Sequence, residues 1–117
     1  MRLVERPFRD ADRRALIAAG LHPVLARVYA ARLRQEQRQG VTNAELPVAD
    51  LERHCELDAT SHDLLQRAAE RLGWSGRGLH RVQKLARTIA DLAGSERIRS
   101  IHIAEAMQWR RALPTTT

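Results

Sequence analysis

The sequence holds a single cysteine, Cys55, so no disulfide can form within the chain and nothing points to secretion. Aromatic residues are scarce, with Phe8, Tyr29, Trp74 and Trp109 making up 3% of the chain. β-branched residues are sparse as well, and no strand-like alternation persists anywhere. No apolar run approaches the roughly 20 residues of a membrane span, so no membrane partner is expected. The opening MRLVERPFRD is charged almost at once and lacks the apolar stretch of a signal peptide, which makes the cytoplasm the expected address. Lysine is nearly missing too: of 20 basic residues, 19 are arginine and only Lys84 is not.

Catalytic signatures are equally thin. There is no GxxxxGK[ST] and no GxGxxG, and the two glycines of WSGRG are too few and too close to cradle a phosphate chain. No serine sits in GxSxG, and HExxH does not occur. His54 and Cys55, with His62 and His80, invite a zinc reading. Adjacent helical positions point about 100° apart, however, and no CxxC or HxxxH pair supplies the other ligands, so no metal site is expected. His54 reads instead as a surface residue and Cys55 as a small buried one. Carboxylate pairs such as Glu52 and Glu56 are accounted for by solvated helix faces. No enzyme active within this chain alone is expected.

What remains is a chain of 117 residues, 44% hydrophobic and 29% charged. That is the size of one domain, able to bury about two-thirds of its unfolded surface without disulfide or metal. Apolar residues recur at spacings of three and four, the mark of amphipathic helices. Asp10–Ala19 forms a short helix before Gly20, and His22-Pro23 opens a second that stops at Gly40. Its stripe of Leu21, Val24, Leu25 and Val28, broadened by Tyr29 and Leu33, has to be buried on the bundle or across a homodimer. Val41–Pro47 reads as a loop and Val48–Cys55 as a short helix. Asp58 or Thr60 caps the next helix, which Gly73 ends; Ser75 caps a longer one closed by Gly94; Ser100 caps the last. Pro114 and Thr115–Thr117 read as a frayed tail. The expected fold is all-α, a compact bundle of five or six short helices. Its expected core includes Leu64, Leu65, Ala68, Leu72, Val82, Leu85, Ile89, Ile101 and Met107.

Charge is laid out in blocks. Residues 1–40 carry net +5, residues 41–73 net −4 and residues 74–117 net +5, for +6 in all. Such a layout suits contact with nucleic acid or phosphate through its flanks, self-association, or plain solvation.

One stretch carries a resemblance. Residues 57–110 contain LxxAxxRLGxSxR, then HRVQKLARTIADLAGSERI, and close on HIAEAMQWR. These pieces resemble the C-terminal domain of the magnesium-chelatase-like AAA+ ATPases, in the branch of the competence protein ComM and YifB. The likeness continues upstream through LERHCELD and RLRQEQRQGVTNAEL, so it covers about residues 30–112. It implies the helical lid of an ATPase, packed over a nucleotide held by a neighbouring α/β domain. It also implies a sensor-2 arginine at the start of one helix, reaching the γ-phosphate; Arg77 of SGRG stands at that position. Arg81, one turn on, and Arg87, deeper along the helix, are weaker phosphate-contact candidates. Arginine suits the task because its planar fork is permanently charged and bidentate. The family's Walker A lysine, Walker B acid and arginine finger have no counterpart here, so ATP and Mg2+ belong to the parent ATPase. The implied partners are the AAA+ core and neighbouring subunits, with DNA engaged through the parent as a hexameric motor.

Residues 1–33 depart from that pattern. VERPFRDADRRALIAAGLHPVLARVYAAR resembles instead the extreme N-terminus of the RecJ single-strand-specific exonucleases, without their DHH-type motifs, so no nuclease activity follows. The expected division is an N-terminal helical segment 1–33 whose origin the pattern leaves open, a lid-like domain 34–113 and a tail 114–117. Two competing readings stand beside the lid: a small basic helical nucleic-acid-binding protein, and a recombined or designed chain with no selected function.

Overall fold

The computed structural model describes residues 10–112; the expectations for residues 1–9 and for the tail fall outside them. Six α-helices follow in order: α1 Asp10–Ala18, α2 Pro23–Gln39, α3 Leu51–His54, α4 Ala59–Leu72, α5 Gly76–Leu92 and α6 Ser100–Ala112. Two 3-10 turns, Asn43–Glu45 and Val48–Asp50, lie between α2 and α3. Among the described residues there is no strand, only an isolated bridge between Leu57 and Ile98. The fold is an all-α bundle.

Local chemistry explains most of the boundaries. Ser75 Oγ accepts the Gly78 N–H at 3.2 Å and Asp58 Oδ1 accepts the Ser61 N–H at 2.7 Å, each satisfying an orphan donor of a first turn. His22 Nδ1 takes the Val24 N–H at 3.2 Å ahead of Pro23. Gly40 and Gly73 end α2 and α4 in the left-handed conformation, which only glycine adopts without strain. The expected loop 41–47 contains structure of its own, because Thr42 and Glu45 form a capping box around the first 3-10 turn. The expected helix Val48–Cys55 is divided into the second 3-10 turn and the single turn of α3.

The core forms where α5 meets α6 and α4. Leu46, Leu51, Cys55, Leu65, Val82, Ala86, Ala90, Ile98, Ile103 and Ala106 are buried there, with Leu64, Leu85, Ile89 and Met107 partly buried around them. Three expected core residues are not in it, among them Ala68, which is only partly buried on α4. Leu72 is 50% exposed, because the buried row of α4 runs through Ser61, Leu65 and Ala69, and Leu72 lies off that row in the last turn. Ile101 is 66% exposed, because α6 turns His102, Ile103 and Ala106 inward instead.

Ser100 is not the cap of α6 either: it is the first helical residue, its Oγ 3.3 Å from Ser61 Oγ. The turn is closed by His102, whose Nδ1 accepts the Arg99 N–H at 2.9 Å. Burial, then the charges of Arg99 and Arg87, hold the His102 pKa below its ordinary value, so the folded protein favours the neutral ring. The stability this ring contributes is fully present above about pH 6.5 and declines as the pH falls from there toward the folded pKa. Urea midpoints measured between about pH 5 and pH 7 should fall on acidification, and His102→Gln should flatten that limb. A limb unchanged in the variant would remove His102 from the account.

The α2 stripe is not buried on the bundle, one of the two places expected for it. Val24, Leu25 and Val28 are exposed, while Ala26, Ala30, Ala31 and Gln35 are buried. α1 and α5 both pack on α2, with Arg34 and Arg38 of α2 meeting Asp91 of α5. Small side chains let the helix backbones approach, so the alanines mark the packed faces and the larger residues are left outside.

A polar bolt joins α2 to α5. Asp91, fully buried, receives both Nη atoms of Arg38 at 2.8 and 3.1 Å, Arg87 Nη2 at 3.1 Å and Asn43 Nδ2 at 2.9 Å. Asn43 is held in turn by Gln35, Gln39 and Arg38. A buried carboxylate is tolerable only with this degree of pairing.

Candidate nucleotide-facing end of α5

Helix α5 begins at Gly76 under the Ser75 cap, and its first turn contains no acidic residue. Its N-terminus therefore keeps the positive end of the helix dipole uncompensated. Arg77 is the second helical residue; it is exposed and forms no hydrogen bond or ion pair among the described residues. Arg81 follows one turn later on the same side, also exposed. Two free guanidinium groups thus flank an anion-favouring helix end.

Arg87 is placed apart from them. It is 3% exposed, pairs with Asp91, and donates to the carbonyls of Ser95 at 2.9 Å and Glu96 at 3.0 Å. Burial pushes its pKa down, while Asp91 raises it in compensation. Its forked donors tie the α5–α6 loop to the core, a structural task in which Arg38 and Asn43 had no signal in the spacing of the sequence. The cavity of about 360 Å3 beside Arg87 mixes Arg38, Arg53 and Arg97 with Glu56, Asp58 and Glu96.

The histidines are dispersed. His62 and His80 line a groove of about 750 Å3 with Glu52 and Glu56, whereas His54 lines the other cavity. Among the described residues no three of His, Cys, Asp and Glu gather as a metal-binding group. Cys55 is buried, and burial pushes its thiol pKa up, away from thiolate chemistry.

Residues 21–110 match the family described as magnesium chelatase, subunit ChlI C-terminal. The chain belongs to that family. The match reaches back beyond the motif-based span, so that part of the 1–33 segment, from residue 21, lies within the ChlI C-terminal domain. This agrees with α2, which runs unbroken from Pro23 to Gln39. Among curated proteins, this ChlI C-terminal domain is 42% identical over 76 residues to the competence protein ComM of Haemophilus influenzae, covering 65% of this chain and 15% of that protein. It is 39% identical over 87 residues to the uncharacterized protein YifB of Escherichia coli strain K12, covering 74% of this chain and 17% of that protein. The chain therefore spans about one-sixth of the length of these relatives.

Proposed function

We propose that this ChlI C-terminal domain works as the helical lid of a magnesium-chelatase-like AAA+ ATPase, without catalysis of its own. In this reading Arg77 is the sensor-2 arginine that reaches the γ-phosphate of ATP held, with Mg2+, by the α/β core of the parent. The observation that carries the reading is an exposed, unpaired Arg77 in the first turn of a capped helix, within a region matched by the family. A guanidinium whose partner lies in another domain has this appearance: solvated in isolation, and free to turn toward a phosphate. The lid also contributes contacts to neighbouring subunits, and the parent acts as a cytoplasmic DNA-processing motor, as the likeness to the ComM branch implies. Arg81 stands as a secondary phosphate contact; Arg87 is left to its structural role.

The test compares one substitution in two settings. Arg77→Ala in this chain should leave the unfolding free energy within about 0.5 kcal/mol, as for a surface site. In a full-length parent the same change should cut ATP turnover by about 100-fold or more, since charge stabilisation is removed where the phosphoryl group transfers. The chain alone should bind ATP no tighter than about millimolar, because one arginine and a helix end barely offset the cost of association. A parent whose turnover ignores the loss of Arg77 would sink the assignment.

A further inference from the structure

At the opposite end of α5 three arginines converge. Arg13 from α1 and Arg27 and Arg34 from α2 line a cavity of about 300 Å3 against Leu92 and Gly94, with no carboxylate among the described residues of its lining. Arg34 is partly occupied there: its Nη1 donates to the Asp91 carbonyl at 2.8 Å, satisfying one of the orphan acceptors of the helix end. The other two are not. Arg27 is exposed and forms no ion pair among the described residues, and the Nε of Arg13 is buried from solvent without an acceptor. Gly94 bears no side chain over the site, and a Cβ added there would come 3.5 Å from Arg34 Nη2.

Among the described residues that line the cavity, what opposes the charge of Arg13 and Arg27 is the C-terminus of α5, the equivalent of about half a negative charge, and neither guanidinium can lose its proton. Asp91, the carboxylate nearest in sequence to this helix end, is already shared by Arg38, Arg87 and Asn43. A single carboxylate ligand is satisfied by one guanidinium fork, whereas a phosphate presents three or more acceptor oxygens and can be shared among several. A buried N–H left without an acceptor beside such a cluster is what an absent anion would satisfy.

We infer that Arg13, Arg27 and Arg34 form a phosphate-binding pocket, distinct from the Arg77 end of α5 and completed by a helix that lies outside the family match. Arg13 precedes residue 21, where that match starts, so the pocket draws on a residue outside the matched domain. The phosphate has two sources of the same chemistry, a free di- or polyphosphate and the phosphodiester of a single-stranded nucleic acid.

Calorimetric titration of the chain with pyrophosphate at low salt tests the pocket. Saturable binding is expected, weakened about tenfold or more in Arg27→Gln and in Arg13→Gln, as the loss of charge-assisted hydrogen bonds implies. Arg67→Gln, an exposed arginine on α4, serves as the control and should bind as the parent chain does. Should Arg13→Gln fail to fold, Arg27→Gln decides alone, because Arg27 makes no hydrogen bond among the described residues whose loss could unfold the chain. A single-stranded oligothymidylate that competes with pyrophosphate and shares the dependence on Arg27 identifies the phosphodiester source; failure to compete identifies the free phosphate. No saturable binding below about 10 mM, in the range of contacts too weak to matter, would overturn the pocket. So would a loss in Arg67→Gln equal to that in Arg27→Gln. Binding abolished by Arg77→Ala but not by Arg27→Gln would also overturn it, while leaving the lid reading in place.

Discussion

Asp91→Ala should lower the unfolding free energy by about 3–5 kcal/mol, a large part of what a domain of this size possesses. The cost does not come from the four contacts as such, since exposed ion pairs contribute little. It comes from what is left behind. Arg87, 3% exposed, would keep its charge in a site already desolvated and would face only carbonyl acceptors. Arg38 and Asn43 would lose the group that orients them. The same logic makes the double change Arg87→Met with Asp91→Leu milder than Asp91→Ala alone, because it removes the stranded charge as well as its partner. Urea unfolding of the single and double variants measures the difference. If the single substitution cost less than about 1 kcal/mol, the bolt between α2 and α5 would be an ordinary surface pair and its burial would have no energetic meaning.

The sequence foretold this bolt only in part. Arg87 and Asp91 stand at i and i+4, a pairing any helix reading allows. Their burial depends on Arg38 and Asn43, which lie 53 and 48 positions from Asp91 and meet it only through the tertiary fold. For that reason Arg87 could stand as a weaker phosphate-contact candidate in the sequence. The pocket at the other end of α5 was hidden for a related reason, since Arg13, Arg27 and Arg34 lie on separate turns of two helices and converge only when α1 folds back on α2. Arg77 was more accessible to inspection, because it belongs to a local motif. Ser75, Gly76 and Gly78 fix its helix end without help from distant residues.

The caps followed the same rule. Ser75, Asp58, Gly40 and Gly73 act within three or four residues of themselves, and each works where the sequence placed it. Helix faces were less legible. In α2 the large apolar residues suggested the buried side, yet alanines do the packing, and Val24 and Leu25 are 59% and 57% exposed. Periodicity reports that a helix has two faces; which of them a neighbour covers depends on the neighbour.

Helix α6 presents that ambiguity in its sharpest form, and a pair of substitutions resolves it. Ile101 and Ile103 are the same residue type, two positions and therefore about 200° apart around the helix. Ile103 is fully buried between α6 and the core row of Val82, Ala86 and Ala90, while Ile101 is 66% exposed. Ile103→Ala should destabilise the chain by about 2–5 kcal/mol, combining lost transfer energy with the cavity left in a core lined by alanines too small to collapse into it. Ile101→Ala should change stability by no more than about 0.5 kcal/mol, since little apolar area leaves water in the folded state to begin with. The contrast within one helix cancels differences in helix propensity, because both sites exchange isoleucine for alanine. Equal costs at the two positions, read from urea midpoints at constant slope, would mean that α6 is rotated from the orientation that closes the core. A larger cost at Ile101 would put the turn of His102 and Arg99 on the wrong face as well.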